Sequence, residues 1–186
     1  MAVTGGRVQL RTYHRAMATD LPIERPAAQH LSLPHGALAL AGLAATAGFI
    51  HLVAMIEHIG VDWTLALFFL LVGSGQLALG WWIYRDGADA RLLKLAAVAS
   101  VGVAMLWVWS RTTGMPFGPE AGGPRKVGVG DTIATLLELG FAALVGVILA
   151  RGARAVAWLS GPIGVRLTCL VLSLALMMAA LGGHQH

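Results

Sequence analysis

The chain has 186 residues, of which 57% are hydrophobic and only 12% are charged. Because a soluble domain carries roughly 25% charged residues, this composition excludes an ordinary soluble domain and indicates an integral membrane protein. The formal net charge is +4, but the basic residues lie scattered between apolar blocks, which argues against nucleic acid and favours the lipid bilayer as the partner. The single cysteine, Cys169, allows no intrachain disulfide and no multi-thiolate metal site.

The first segment, residues 1–36, is polar and irregular. Pro22, Pro26 and Pro34 interrupt it and prevent any long helix. We therefore expect a polar N-terminal arm on the cytoplasmic side of the membrane.

The remainder, residues 37–182, predicts a transmembrane helical domain. Five apolar blocks follow one another, and each approaches the roughly 20 residues that cross the hydrocarbon of a bilayer. The fold class expected is therefore all-α, an integral membrane bundle of five transmembrane helices. Arg166 shortens the last block, so the alternative is four spans plus a re-entrant or interfacial segment. The blocks are 37–57, 63–84, 92–110, 131–150 and 164–182.

The distribution of Lys and Arg predicts the orientation, because basic residues collect on the cytoplasmic side. Ten lie on the side of the N-terminus and three on the other, which predicts a multi-pass protein of the cell (inner) membrane with its C-terminus outside. Tryptophans near the ends of the blocks agree with interfacial belts. The three basic residues on the outer side are Arg111, Arg125 and Lys126.

The longest outer loop is predicted over residues 111–130. Its three prolines and six glycines exclude a continuous helix. Loops of this length are often functional or ordered by a partner. A short tail, residues 183–186, carries His184 and His186.

Polar residues at helical spacing mark a candidate site in two of the apolar blocks. His51, Met55 and His58 share one face of the first helix, and Asp131 and Glu138 share one face of the fourth. These helices run antiparallel, and seven residues rise by roughly 10 Å, so the two polar pairs match in depth. Ionisable side chains at membrane depth usually mark function.

The chemistry of these residues leaves two interpretations open. Imidazole and carboxylate ligands suit zinc, whereas histidines with a thioether suit copper, so a copper or zinc site is one interpretation. The other is an interhelical hydrogen bond between His51 and Glu138, with Asp131 capping the fourth helix. The expected metal ligands are His51, His58, Asp131 and Glu138, and the additional candidates are Met55, Glu57, Arg111, His184 and His186.

Four stretches of the sequence together resemble a group of small, uncharacterised bacterial membrane proteins. The patterns of that group resemble HxxxxxEH, SRTxGxPxGP and VGxxDxxATxxE. The resemblance covers about residues 40–150 of this chain. It implies that the outer-face residues belong together, and it implies no activity. Arg125 and Lys126 depart from the group, which tends to have an acidic residue there. The stretches are HLVAMIEH, LFFLLVGSGQLALG, SRTTGMPFGP and VGVGDTIATLLELG.

Three functions are compatible with these features. The protein binds a metal ion or a proton-coupled small ligand in an outward-facing pocket between the first and fourth helices, closed by the loop 111–130. Alternatively, it is a non-catalytic subunit of a larger membrane enzyme or transport complex. An enzyme that uses Glu138 as acid or base is the least favoured, because the chain contains no GxSxG, Walker A, HExxH or CxxC pattern.

Overall fold

The structure is a computed structural model that describes residues 36–115, 121–152 and 161–182. The N-terminal arm, the tail with His184 and His186, and two short connecting stretches lie outside the described residues. The described part folds into five helices: α1 (Gly36–His58), α2 (Trp63–Asp86), α3 (Ala90–Thr112), α4 (Val129–Arg151) and α5 (Pro162–Gly182). The prediction of an all-helical chain is confirmed.

Four of these helices, α1 to α4, are long and apolar enough to cross a membrane. In α5 the apolar stretch is Thr168–Met177, which is shorter than a span. Large apolar side chains are exposed on the outer surfaces of the helices, as expected where lipid surrounds the protein. The prediction of apolar helices of membrane-spanning length is thus confirmed for four helices, while a crossing by α5 stays a prediction.

Helix α1 lies at the centre of the bundle and packs against α2, α4 and α5. Small side chains on α1, with the fully buried Leu40, meet Phe141, Val145 and Ile148 of α4 in the main apolar core. Helix α3 packs against α4. Because α1 and α4 occupy the interior, polar groups on their facing surfaces are withdrawn from lipid.

Helices α1 and α2 approach each other closely through glycines. A Cβ added at Gly73 would lie 2.8 Å from the carbonyl oxygen of Gly48, and one at Gly80 would lie 2.9 Å from that of Ala41. Small residues allow such backbone contact between membrane helices. Ser74, expected to bond between helices, instead donates to the Leu70 carbonyl of its own helix.

Helices α2 and α3 do not pack against each other over their described lengths, although only residues 87–89 connect them. Gly87 ends α2 with a φ of 76°, and its amide bonds the Ile83 carbonyl. The Asp89 side chain accepts from the Leu92 amide and begins α3. This sharp connection lets the two helices diverge towards the opposite end of the bundle.

The close contact between α1 and α2 predicts unequal effects at two neighbouring glycines. Gly73→Ala places a methyl group against the backbone of Gly48. We expect the unfolding free energy to fall by about 1–3 kcal/mol, as for other overpacked interiors. Equilibrium unfolding in mixed detergent micelles measures it. Gly75→Ala is the matched control, because no atom lies within 4 Å of its added Cβ. Equal effects of the two variants would show that the α1–α2 contact is looser than described.

Candidate functional site

A cavity of about 450 Å³ lies where α1 and α3 end and α2 and α4 begin. Most of its wall is apolar, with Leu and Val side chains and the rings of Phe68, Phe69 and Trp107. The ionisable side chains on the wall are His51, His58, Arg111, Arg125, Asp131 and Glu138. An apolar cavity with a few convergent polar groups is the usual form of a small-molecule site.

Glu138 of α4 is almost completely buried, with 1% of its surface exposed. Its Oε1 lies 2.9 Å from His51 Nε2 of α1 and accepts a hydrogen bond of 2.9 Å from Gln76 Nε2 of α2. The carboxylate therefore joins three helices through one oxygen. The prediction that His51 and Glu138 face each other is confirmed.

An aromatic ring of α2 lies between the two histidines of α1. Phe69 stacks on the His51 imidazole at a centroid distance of 5.7 Å and packs at a tilt against His58 at 5.2 Å. His58 Nδ1 lies 2.8 Å from the Ala54 carbonyl oxygen, which can only accept, so this nitrogen carries the proton. In the neutral imidazole, His58 Nε2 is then an acceptor.

Asp131 forms an ion pair with Arg111 of α3. The Arg111 guanidinium also lies over the Trp107 ring, 5.8 Å from its centroid. The prediction that Asp131 caps α4 is wrong: the N-cap is Gly128, which makes no side-chain bond, because the Asp131 carboxylate is directed to Arg111.

Described parts of the loop between α3 and α4 contribute to the cavity wall. Met115 is buried and lines the cavity, and the Gly122 amide donates to its carbonyl. Gly114 has a φ of 78°, and a Cβ there would collide with the Gly123 carbonyl oxygen, so these two parts of the loop are in direct contact. The helices extend beyond their predicted ends and shorten the loop to residues 113–128.

Arg125 connects the second part of this loop, residues 121–128, to the start of α2. Its Nη2 lies 3.4 Å from Asp62 Oδ2, and its amide donates to the Ser110 carbonyl. Asp62 is buried and is also the N-cap of α2, accepting from Thr64 and Leu65. Burial raises the pKa of Asp62, but the Thr64 hydroxyl, the two backbone amides and Arg125 outweigh it, so the pKa lies below its ordinary value.

The structure separates two of the additional candidates from the cavity, whereas Arg111 lines it. Met55 does not line it, and Glu57 is exposed on another face of α1. His58 and Asp131 both line the cavity, but they do not pair with each other.

A metal ion would require at least three ligands that converge. Within residues 36–115, 121–152 and 161–182, no group of three His, Cys, Asp or Glu side chains is placed to hold one. Copper or zinc binding by His51, His58, Asp131 and Glu138 therefore stays a prediction.

Three residues outside the predicted site contribute to it. Gln76 of α2 completes the bonding of Glu138. Trp107 lines the cavity, and Asp62 pairs with Arg125 of the loop. The sequence DWTL does carry an N-cap signal for α2, but nothing in it indicates the contact with Arg125.

Comparison of the chain with family models, curated proteins and solved structures found no match. The resemblance of residues 40–150 to small bacterial membrane proteins stays an expectation. The geometry of the cavity is therefore the basis for inferring the function.

The ion pair between Arg111 and Asp131 predicts coupling between the two substitutions. Both side chains are largely buried, so Arg111→Met leaves a carboxylate without its partner and should cost about 1–3 kcal/mol of unfolding free energy. In the Asp131→Asn background the same change should cost less. A double-mutant cycle in detergent micelles measures the difference, and strictly additive effects would contradict the ion pair.

The lowered pKa of Asp62 predicts a pH-dependent stability. Since the folded pKa is depressed, its contribution is complete above the unfolded value of about 3.9 and is lost as pH falls through the folded pKa. Asp62→Asn keeps the N-cap but removes the charge, so it should lower the thermal midpoint at pH 7 and approach wild type in acid.

The matched control is Asp86→Asn, whose carboxylate is exposed and pairs with the adjacent Arg85. We expect this variant to follow the wild-type curve at every pH, because exposed pairs contribute little. A constant difference between Asp62→Asn and wild type from pH 7 into the acid range would contradict the assignment.

Proposed function

We propose that the protein binds a small ligand in the cavity and that binding is coupled to the proton held by His51 and Glu138. The observation that carries the proposal is Glu138: a buried carboxylate that faces a cavity and shares one oxygen with two donors. A charged side chain in the middle of a membrane costs about 2.5–3.5 kcal/mol on insertion scales. Because of this cost, an ionisable side chain such as Glu138 at that depth usually marks a functional site.

The geometry suits proton coupling. An imidazole nitrogen 2.9 Å from a carboxylate oxygen can transfer a proton to it or take one from it, so the pair can pass a proton to a ligand in the cavity or take one from that ligand. Both protein hydrogen bonds reach Oε1, which leaves Oε2 for a ligand. Gln76 holds the carboxylate in place whichever partner carries the proton.

The cavity also offers hydrogen-bond donors. Trp107 Nε1 and Arg111 Nε are buried and have no hydrogen-bond partner among the described residues, and both side chains line the cavity. Leaving a buried donor unpaired costs about 1–3 kcal/mol. A ligand with an acceptor oxygen would recover this energy, so we infer that the ligand carries one.

From the distribution of basic residues, we also propose that the cavity lies at the outer face of the cell membrane. The end of the bundle opposite the cavity carries Arg85, Arg91, Lys94 and Arg151, all exposed. At the cavity end, Arg111 and Arg125 are instead engaged by acidic groups. This asymmetry agrees with an N-terminus inside and a C-terminus outside.

The test is to identify what the protein retains. The chain is purified from its native membrane in mild detergent, and bound small molecules, copper and zinc, and co-purifying proteins are measured in one sample. We expect a near-stoichiometric small molecule that is lost in Glu138→Gln and in His51→Ala. Because Gln is nearly isosteric with Glu, the first variant removes the proton site with little change of shape.

Glu57→Gln is the matched control, since it removes an exposed carboxylate from the same end of the bundle. It should retain the small molecule in full. Near-stoichiometric copper or zinc that is lost with His51→Ala would instead establish the metal site. A constant protein partner with no bound molecule or metal would favour the accessory-subunit function and contradict the proposal.

A further inference from the structure

The cavity opens sideways between α2 and α3. These helices do not pack against each other, yet both contribute to the cavity wall. Leu67 and Leu71 of α2 and Trp109 of α3 line the cavity and are at the same time 45%, 64% and 54% exposed. Side chains that face both the cavity and the exterior define an opening on the flank of the bundle.

The opening lies at the depth of lipid hydrocarbon. Leu67 and Leu71 are four and eight residues into α2, which is roughly 6 Å and 12 Å from its start, and Trp109 is three residues from the end of α3, or roughly 5 Å. Half of a bilayer core is roughly 15 Å thick. A molecule that uses this opening therefore arrives from the acyl chains of the bilayer and must be lipid-soluble.

Each charged side chain at the cavity wall has a bonding partner. Arg111 pairs with Asp131, Arg125 pairs with Asp62, and Glu138 is bonded by His51 and Gln76. An anionic headgroup would have to displace Asp131 from Arg111, at a cost in unpaired charge. The donors without partners, on Trp107 and Arg111, instead suit a neutral acceptor such as a carbonyl oxygen.

The volume and the aromatic wall of the cavity suit a ring compound. Its volume of about 450 Å³ is sufficient for a substituted ring and the start of a chain, and Phe68, Phe69 and Trp107 offer aromatic surfaces. With the proposed function as its premise, we propose that the ligand is a neutral, lipid-soluble carbonyl compound of the quinone class that enters from the bilayer between α2 and α3. One carbonyl oxygen accepts from Trp107 Nε1 and Arg111 Nε, and the chain leaves through the opening.

The test is saturable binding of a radiolabelled short-chain ubiquinone to the full chain in phosphatidylcholine nanodiscs, with empty nanodiscs subtracted. Trp107→Phe keeps the ring and removes the donor, so the affinity should fall roughly fivefold to tenfold. Leu71→Trp narrows the opening and should lower the affinity at least as much. Leu71 is exposed, so this variant is expected to fold, and its thermal midpoint verifies this.

Two matched controls accompany the variants. Leu70→Trp changes the neighbouring exposed residue, which does not line the cavity, and Trp81→Phe removes an indole at the opposite end of α2. Both should bind like wild type. Binding no greater than to empty nanodiscs, equal binding by Leu71→Trp and Leu70→Trp, or displacement of the quinone by palmitate would overturn the inference.

The two proposals fail in different ways. A water-soluble molecule that co-purifies and is lost in Glu138→Gln would overturn the quinone inference and leave proton-coupled binding in place. Quinone binding that is the same in Glu138→Gln and wild type, at every pH, would support the lateral site and overturn the coupling to His51 and Glu138.

Discussion

The hydrogen-bonded contact between His51 and Glu138 is the interaction on which the interior of this bundle depends. A carboxylate with 1% exposure can be kept among membrane helices only if donors surround it, and the donors here come from two other helices. The contact consequently fixes the rotation of α1 and α4 about their axes. The main apolar core lies on the C-terminal side of Glu138 along α4, where Phe141, Val145 and Ile148 are packed.

The unequal packing around α1 explains why a cavity exists at this place. Glycines bring the backbone of α2 against α1, while α3 is held by α4 on the other side. Because α2 and α3 take their positions from different partners, they separate as they leave the short connection at residues 87–89. A cleft forms between α2 and α3, and the polar residues of α1 and α4 lie at its inner end. They are buried in the bundle, and the cleft connects them to its flank.

The end of α3 and the described part of the loop after it line the end of this cleft with charged side chains that have partners. Arg111 forms an ion pair with Asp131, and its guanidinium lies over the Trp107 ring. Arg125, in the second half of the loop, contacts Asp62 at the start of α2. The result is a wall with local charges, little net charge and two unpaired donors, which favours a neutral ligand over an ion.

The sequence by itself determined the membrane class, the positions of four long helices and the two polar stripes, because hydrophobic length and helical spacing are local properties of the chain. Matched depth on antiparallel helices was even sufficient to pair His51 with Glu138. The tertiary structure alone decided that Gln76 completes this pair, that Asp131 turns to Arg111 instead of capping α4, and that Met55 and Glu57 lie away from the cavity. It also decided the separation of α2 from α3. These features depend on helix rotation and neighbour choice, which arise from packing between distant segments and leave no local pattern in the sequence.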